Sequence, residues 1–290
     1  MDKTCDRGDA GPTVLSIQSW VACGAVGNAA ALFALRRLGI EAWSLNTVLF
    51  SNHTGYGRWT GRTVPAAEIS SLFDGIAALG LLPRIDAVLS GYLGAAETAS
   101  AVLDIVARVK RANPRALYCC DPVMGDVAAG WYAAPELRAF FRDRALPCAD
   151  IVTPNRFELE WLGGRPVGGL AEAAAAVAAL RERGPRIVLV TSLDYAPDRL
   201  AMVAGGAEGI WVVETPRLPI TASGCGDTVA ALFLARLLRG EALPAALAAT
   251  GAAIYGVIAA TIRAGGGELA LSAAQDELVA PSLALEPRRL

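Results

Sequence analysis

Thr221-Ala222-Ser223-Gly224-Cys225-Gly226-Asp227 passes directly into the apolar, alanine-rich stretch 228–238, so a glycine turn opens a buried helix. Glycines on both sides of one residue let successive backbone N–H groups turn toward a single point, and a helix start adds unpaired amides and the positive end of its dipole. Such a turn holds an anion. A carboxylate beside a bound anion needs a task, and taking a proton from an attacking alcohol during phosphoryl transfer is the task that fits Asp227. Taken alone, Gly-x-Gly-Asp reads more simply as a loop closed by an N-cap aspartate, so the surrounding segments must decide.

Working outward, short β-branched runs alternate with longer Ala/Leu-rich stretches. Residues 14–18 read as a strand, 28–38 as its helix with Gly39 as the stop, and 43–50 as the next strand. From 51 to 65 the chain turns polar, with Gly55, Gly57 and Gly61 set among Tyr56, Trp59 and threonines, which predicts a hairpin or flap. Helix 66–79 leads to strand 87–90, and helix 95–113 to strand 117–120, with Asn113-Pro114 marking the boundary. Helix 135–144 precedes strand 150–153, and Pro154-Asn155 turns the chain into helix 156–162. Helix 170–183, strand 187–191, an antiparallel pair at 200–203 and 209–214, the glycine turn and two closing helices complete the order. This alternation predicts βαβ units, a mostly parallel sheet and an α/β fold. Ser90, Asp121, Thr153 and Thr191 fall at strand carboxyl ends, where open α/β sheets bind ligands.

With 290 residues, 54% of them hydrophobic and 19% charged, the chain can bury a large core without staples. The expected organisation is a polar, disordered lead-in at 1–12 and one domain over 13–290. A formal net charge of −2 leaves no basic excess for a nucleic-acid partner. The six cysteines show no Cys-x-x-Cys spacing and His53 is the single histidine, which excludes the usual zinc sets and points to reduced thiols in a cytosolic protein. Residues 242–262 carry no charge and are long enough to span a bilayer, but they are mostly Ala, Gly and Thr. That composition favours a buried core helix and argues against a membrane partner.

There is no Gly-x-x-x-x-Gly-Lys-Ser/Thr loop, which excludes a Walker-type site, and Gly55-Tyr56-Gly57 followed by Gly61 precedes no suitable helix for a dinucleotide fingerprint. What remains is a set of carboxylates: Asp121, Glu158 and Asp227. A phosphoryl transferase needs such a set, because Mg²⁺ prefers hard oxygen ligands, often through water, while it bridges phosphates.

Several motifs now accumulate: Ile17-Gln18-Ser19, Gly27-Asn28, Arg37-Leu38-Gly39, Leu45-Asn46-Thr47-Val48-Leu49-Phe50-Ser51-Asn52-His53-Thr54-Gly55-Tyr56-Gly57, Leu89-Ser90-Gly91-Tyr92-Leu93-Gly94, Cys120-Asp121-Pro122-Val123-Met124-Gly125 and Gly224-Cys225-Gly226-Asp227. From residue 14 to about 262 the chain resembles the pyridoxal kinases of the ribokinase-like superfamily. The Phe-Ser-Asn-His-Thr segment is the specific part, whereas Asp-Pro-Val-Met and the glycine turn are shared with hydroxymethylpyrimidine kinases. The resemblance implies a three-layer α/β/α sandwich with a small flap, and ATP-dependent phosphorylation of the 5′-hydroxyl of pyridoxal.

It further implies Asp227 as general base and Gly224, Cys225 and Gly226 as the anion hole. Asp121 and Glu158 would organise Mg²⁺ and a monovalent cation such as K⁺. Ser19, Thr54 and Gly55 would meet the substrate, with Phe50 and Tyr92 packed on its ring. Asp121, Thr153, Glu158, Thr191, Thr215, Pro216, Arg217 and Leu218 would line the ATP side. A cytoplasmic homodimer is expected on the same ground, and His53 is expected to orient the flap rather than to move protons. Departures from the family pattern are Trp20 where many members carry His, small residues at Cys23 and Ala25, Thr191 in place of Lys, and a shortened loop before Gly224. Cys225 reads either as a thiol acidified by the helix start or as a small filler. The competing readings are a hydroxymethylpyrimidine kinase and a vitamin-binding homologue without turnover.

Overall fold

Strand β1 (Thr13–Val21) is buried along almost its whole length, with Leu15 and Ile17 turned into one core and Val14 into the other. A strand covered on both faces reads as a continuous apolar run, and its period-2 alternation distributes side chains between two layers. The computed structural model describes residues 11–220 and 222–290. Of the expected lead-in, residues 1–10 lie outside the described residues, while the Pro12 carbonyl already accepts the Glu41 N–H at 2.9 Å.

After β1 come α1 (Asn28–Arg37), β2 (Glu41–Phe50), β3 (Gly61–Thr63), α2 (Ala66–Ala78), β4 (Ile85–Ser90), α3 (Ala96–Ala112) and β5 (Leu117–Cys120). A small hairpin of β6 (Gly125–Asp126) and β7 (Gly130–Trp131) precedes α4 (Pro135–Phe140), α5 (Leu146–Cys148), β8 (Ile151–Val152), α6 (Arg156–Gly163) and α7 (Leu170–Arg181). The chain closes with β9 (Ile187–Ala196), β10 (Arg199–Gly206), β11 (Gly209–Pro216), α8 (Cys225–Leu238), α9 (Leu243–Arg263), α10 (Gln275–Val279) and β12 (Arg288–Arg289).

One sheet runs in the order β12-β11-β10-β9-β8-β5-β4-β1-β2-β3. The pairs from β9 through β8, β5, β4 and β1 to β2 are parallel, and antiparallel strands finish both edges. One core layer packs α2, α3, α4, α6 and α7 on one face, and the other packs α1, α8, α9 and α10 on the opposite face. This is the expected three-layer α/β/α sandwich.

Differences from the sequence reading follow from pairing. Strand β9 continues through the polar residues Thr191 to Asp194 because β10 returns antiparallel along it, pairing Leu193 with Ala201 and Asp194 with Leu200. The helix expected over 135–144 continues to Cys148, widening into a π turn at Phe141–Ala145 ahead of Pro147, which lacks an N–H and removes one rung. The flap at 51–65 forms a short 3-10 turn, Thr54–Tyr56, and then β3, which pairs with the end of β2 from Val48 to Phe50. Helix α9 meets the length and composition test for a membrane span, yet 61% of its most apolar window is buried against α8, α10 and the sheet.

Asn28 fixes where α1 begins. Its buried side-chain amide donates to Asn46 Oδ1 at 2.8 Å, the Leu45 carbonyl at 3.2 Å and the Gln18 carbonyl at 3.4 Å, tying the helix to β1 and β2. Asn28→Ala removes this donor from all three acceptors and should lower stability by about 2 kcal/mol. The check is the midpoint of urea denaturation with an unchanged slope.

Candidate active site

Gly224 stands at the N-cap of α8 with φ 87°, and a Cβ there would collide with the carbonyl oxygen of Ala25 in the loop after β1. Gly27, with φ 54°, is equally restricted, because a Cβ would run into Ser19. Gly224 therefore allows the β1–α1 loop and the α8 turn to touch through main chain, while Gly27 lets the loop fold close over Ser19. The Gly27 N–H then donates to Asp227 Oδ2 at 2.8 Å. The first α8 amide to close back on the turn is that of Thr228, onto the Gly224 carbonyl at 3.0 Å, so the amides of Cys225, Gly226 and Asp227 precede the helical ladder. The space beside the Gly226 Cα is open. Asp227 keeps part of its surface exposed, yet burial pushes its carboxyl above the usual range, opposed by the Gly27 N–H. Burial pushes the Cys225 thiol up to about 12, opposite to the acidification that a helix start would bring.

Asp121 lies just beyond β5 and is buried. Thr153, just beyond β8, donates its hydroxyl to Asp121 Oδ1 at 3.1 Å, while Asp121 Oδ2 is buried without a hydrogen-bond partner among the described residues. Burial, and next the charge of Asp227, hold Asp121 well above the carboxylate range. Glu158 sits in the first turn of α6 in a capping box with Asn155, whose N–H donates to Glu158 Oε2 at 3.0 Å. Its Oε1 accepts the Met124 N–H at 2.7 Å and the Gly125 N–H at 3.4 Å. Burial and the nearby Asp121 raise Glu158 as well.

These three carboxylates are brought together, and among the described residues no basic side chain offsets their charge. Among the described residues no three His, Cys, Asp or Glu groups converge for direct metal coordination. An unpartnered buried Asp121 oxygen backed by further negative charge nevertheless fits a hard divalent cation that keeps most of its waters.

Ser19 is buried near the end of β1, and Tyr92 is half-buried beyond β4. Phe50 ends β2 with its ring 6.2 Å from that of Trp59 in the flap. Thr54 and Gly55 are exposed on the 3-10 turn, which His53 caps by accepting the Gly55 N–H at Nδ1, 3.2 Å away. Thr191 lies within β9 and donates its N–H to the Pro154 carbonyl. Thr215 and Pro216 end β11 opposite the start of β10, Arg217 forms an ion pair with Asp194, and half-buried Leu218 follows. Three groups were missed in the sequence. Gly27 supplies the amide on Asp227; Tyr132, after β7, is exposed and lies near the charges of Glu158, Asp121, Asp126 and Asp227; and Glu268 accepts hydrogen bonds from the flap. Only the Gly27-Asn28 pair carried a local signal.

A carboxyl whose folded pKa is raised binds its proton more tightly folded than unfolded. Its stabilisation is full below the unfolded value of about 4 and is lost as pH rises through the folded value. Asp121→Asn should therefore raise the thermal midpoint of the ligand-free protein at pH 8 more than at pH 5. Calorimetry at the two pH values, without nucleotide or divalent cation, checks this.

Residues 23–272 match the family model described as phosphomethylpyrimidine kinase. The chain is 49% identical over 284 residues to pyridoxal kinase PdxY of Rubrobacter xylanophilus, covering 97% of this chain and 98% of that one. It is 51% identical over 277 residues to pyridoxal kinase PdxY of Deinococcus radiodurans, covering 92% and 93%. Its backbone matches the pyridoxal kinase of Leishmania donovani solved with ADP and pyridoxamine at a TM-score of 0.90 and 30% identity, over 96% of this chain and 99% of that one. With about half of its residues shared with the two bacterial relatives along nearly their full length, and with a backbone close to that of the third, the chain belongs to the pyridoxal kinase family.

Proposed function

We propose that this chain transfers the γ-phosphoryl group of ATP to the 5′-hydroxyl of pyridoxal, giving pyridoxal 5′-phosphate and ADP. The observation that carries the residue assignment is the Asp227 carboxylate held at 2.8 Å by the Gly27 N–H, at the mouth of a helix start with open space beside Gly226. The bond to Oδ2 orients the carboxylate and leaves Oδ1 for the substrate hydroxyl. As the alcohol oxygen forms its bond to the γ-phosphorus and the bond to the β–γ bridging oxygen breaks, the alcohol proton passes to Asp227. Its raised affinity for protons suits that role. The amides of Gly224, Cys225 and Gly226 face the charge that builds on the migrating group, and being held by a turn they need no reorganisation.

Mg²⁺, held through water by Asp121 and Glu158, would neutralise the ATP phosphates, with a monovalent cation such as K⁺ adding to that charge. Asp121 has the oxygen to spare, whereas the Glu158 oxygens already accept three backbone N–H groups, so Glu158 acts chiefly through its charge and by anchoring the chain at Met124 and Gly125. Thr153, Thr191, Thr215, Pro216, Arg217 and Leu218 line the ATP side. Ser19 meets the polar atoms of the pyridine ring, Thr54 and Gly55 close from the flap, and Phe50 and Tyr92 pack near the ring. The protein works in this reading as a cytoplasmic homodimer.

The matching family model is that of phosphomethylpyrimidine kinase, and hydroxymethylpyrimidine is the comparison substrate because the same mechanism would serve it. Turnover should be faster with pyridoxal than with hydroxymethylpyrimidine, and pyridoxal binding without ADP release under saturating Mg-ATP would replace the enzyme with a binding protein. Asp227→Asn should lower kcat by at least about a hundredfold while KM for pyridoxal stays within about threefold. Steady-state assay of pyridoxal 5′-phosphate formation measures both, and retained turnover overturns the base assignment.

A further inference from the structure

Glu268 lies beyond α9, after Gly265-Gly266-Gly267, and its backbone bridges to Ser223, the residue before the glycine turn. Its two carboxylate oxygens serve different parts of the chain. Oε1 accepts the Tyr56 hydroxyl at 2.8 Å and pairs with His53 Nε2 at 3.0 Å. Oε2 accepts the Ala25 N–H at 3.2 Å. Because His53 Nδ1 already accepts the Gly55 N–H, the neutral ring carries its proton on Nε2 and donates it to Glu268. The His53 and Tyr56 rings lie 4.7 Å apart, so the two flap donors form one unit on either side of Thr54 and Gly55. On the other side, Ala25 is the residue whose carbonyl packs against Gly224, and Gly27, two residues on, holds Asp227.

From this connectivity we propose that Glu268 is a positioning residue for pyridoxal: its carboxylate clamps the flap to the β1–α1 loop, so that Thr54 and Gly55 are tied to the same loop whose Gly27 N–H holds the base Asp227. The proposal rests on the kinase reading above. The Glu268 side chain is 26% exposed, partly shielded from water, so its hydrogen bonds are worth more than those of a surface pair. All three of its partners present an N–H or O–H to it, and only a carboxylate accepts on both sides. Glutamine keeps the size but offers one carbonyl, so Glu268→Gln must leave either the flap or Ala25 facing an amide N–H.

The test compares the native enzyme, Glu268→Gln, Tyr56→Phe and the double variant in steady-state kinetics, thermal melting and limited trypsin cleavage after Arg58, an exposed flap residue. Glu268→Gln is expected to raise KM for pyridoxal at least about tenfold, with KM for ATP within about twofold and the thermal midpoint within about 2 °C. Tyr56→Phe, which loses only one flap donor, should raise KM for pyridoxal by about threefold and add nothing in the Glu268→Gln background, the mark of a shared interaction. Trypsin should cut after Arg58 faster in both variants than in the native chain. Equal rises in both KM values with a fallen midpoint, or an unchanged KM for pyridoxal with unchanged cleavage, would overturn the proposal. Should Glu268→Gln fail to fold, Tyr56→Phe decides by its own KM and cleavage rate. If the native chain shows no pyridoxal turnover, the kinase reading fails, and the cleavage comparison still judges the clamp.

Discussion

The loop after β1 and the start of α8 touch main chain to main chain, and the rest of the site is arranged around that contact. The Ala25 carbonyl occupies the place where a side chain at 224 would stand, and the Gly27 N–H reaches Asp227 Oδ2 at 2.8 Å. A Cβ at 224 would strike the Ala25 carbonyl and one at 27 would strike Ser19, and both glycines sit at positive φ, where other residues are strained. Through this contact the first strand of the sheet and the helix that follows its last long strand share one edge. The Asn28 amide secures the near side by holding the start of α1 to β1 and β2, and the core packed beneath α1 and α8 secures the far side.

Around this contact the protein gathers negative charge. Asp121, Glu158 and Asp227 are drawn into one region, and burial favours their protonated forms, joined at Asp121 by the charge of Asp227 and at Glu158 by that of Asp121. Backbone amides offset part of the penalty at Glu158 and Asp227, but one oxygen of Asp121 has nothing to accept from. A fold selected for stability alone would replace such a side chain. Its retention is understandable where function brings positive charge to the site and where a base must hold a proton more firmly than a free carboxylate does. Stability and chemistry thus pull in opposite directions at the same few atoms.

The sequence reading succeeded wherever information was local. The alternation of strands and helices, the strand-end positions of Asp121 and Thr153, the flap at 51–65 and the burial of α9 are all properties of short windows of pattern and composition. It fell short where an element exists only because of a partner. Thr191, Ser192 and Asp194 interrupt the apolar run until β10 lies beside them, and the two-residue strands β6, β7 and β12 carry too little pattern to be seen at all. The Cys225 thiol shows the same limit in electrostatics: its place at a helix start suggests acidity, and burial by distant chain reverses it.

By itself the amino-acid sequence determined the α/β layering, the glycine turn before α8 and the acidic residues able to serve phosphoryl transfer, because periodicity, glycine freedom and side-chain chemistry are written residue by residue. Only the tertiary structure decided which groups meet. The bond from Gly27 to Asp227 spans 200 residues and that from His53 to Glu268 spans 215, and neither leaves a trace in the chain near its ends. A hydrogen bond depends on distance and direction in space, which are set only when the sheet has assembled and both layers of helices have packed upon it.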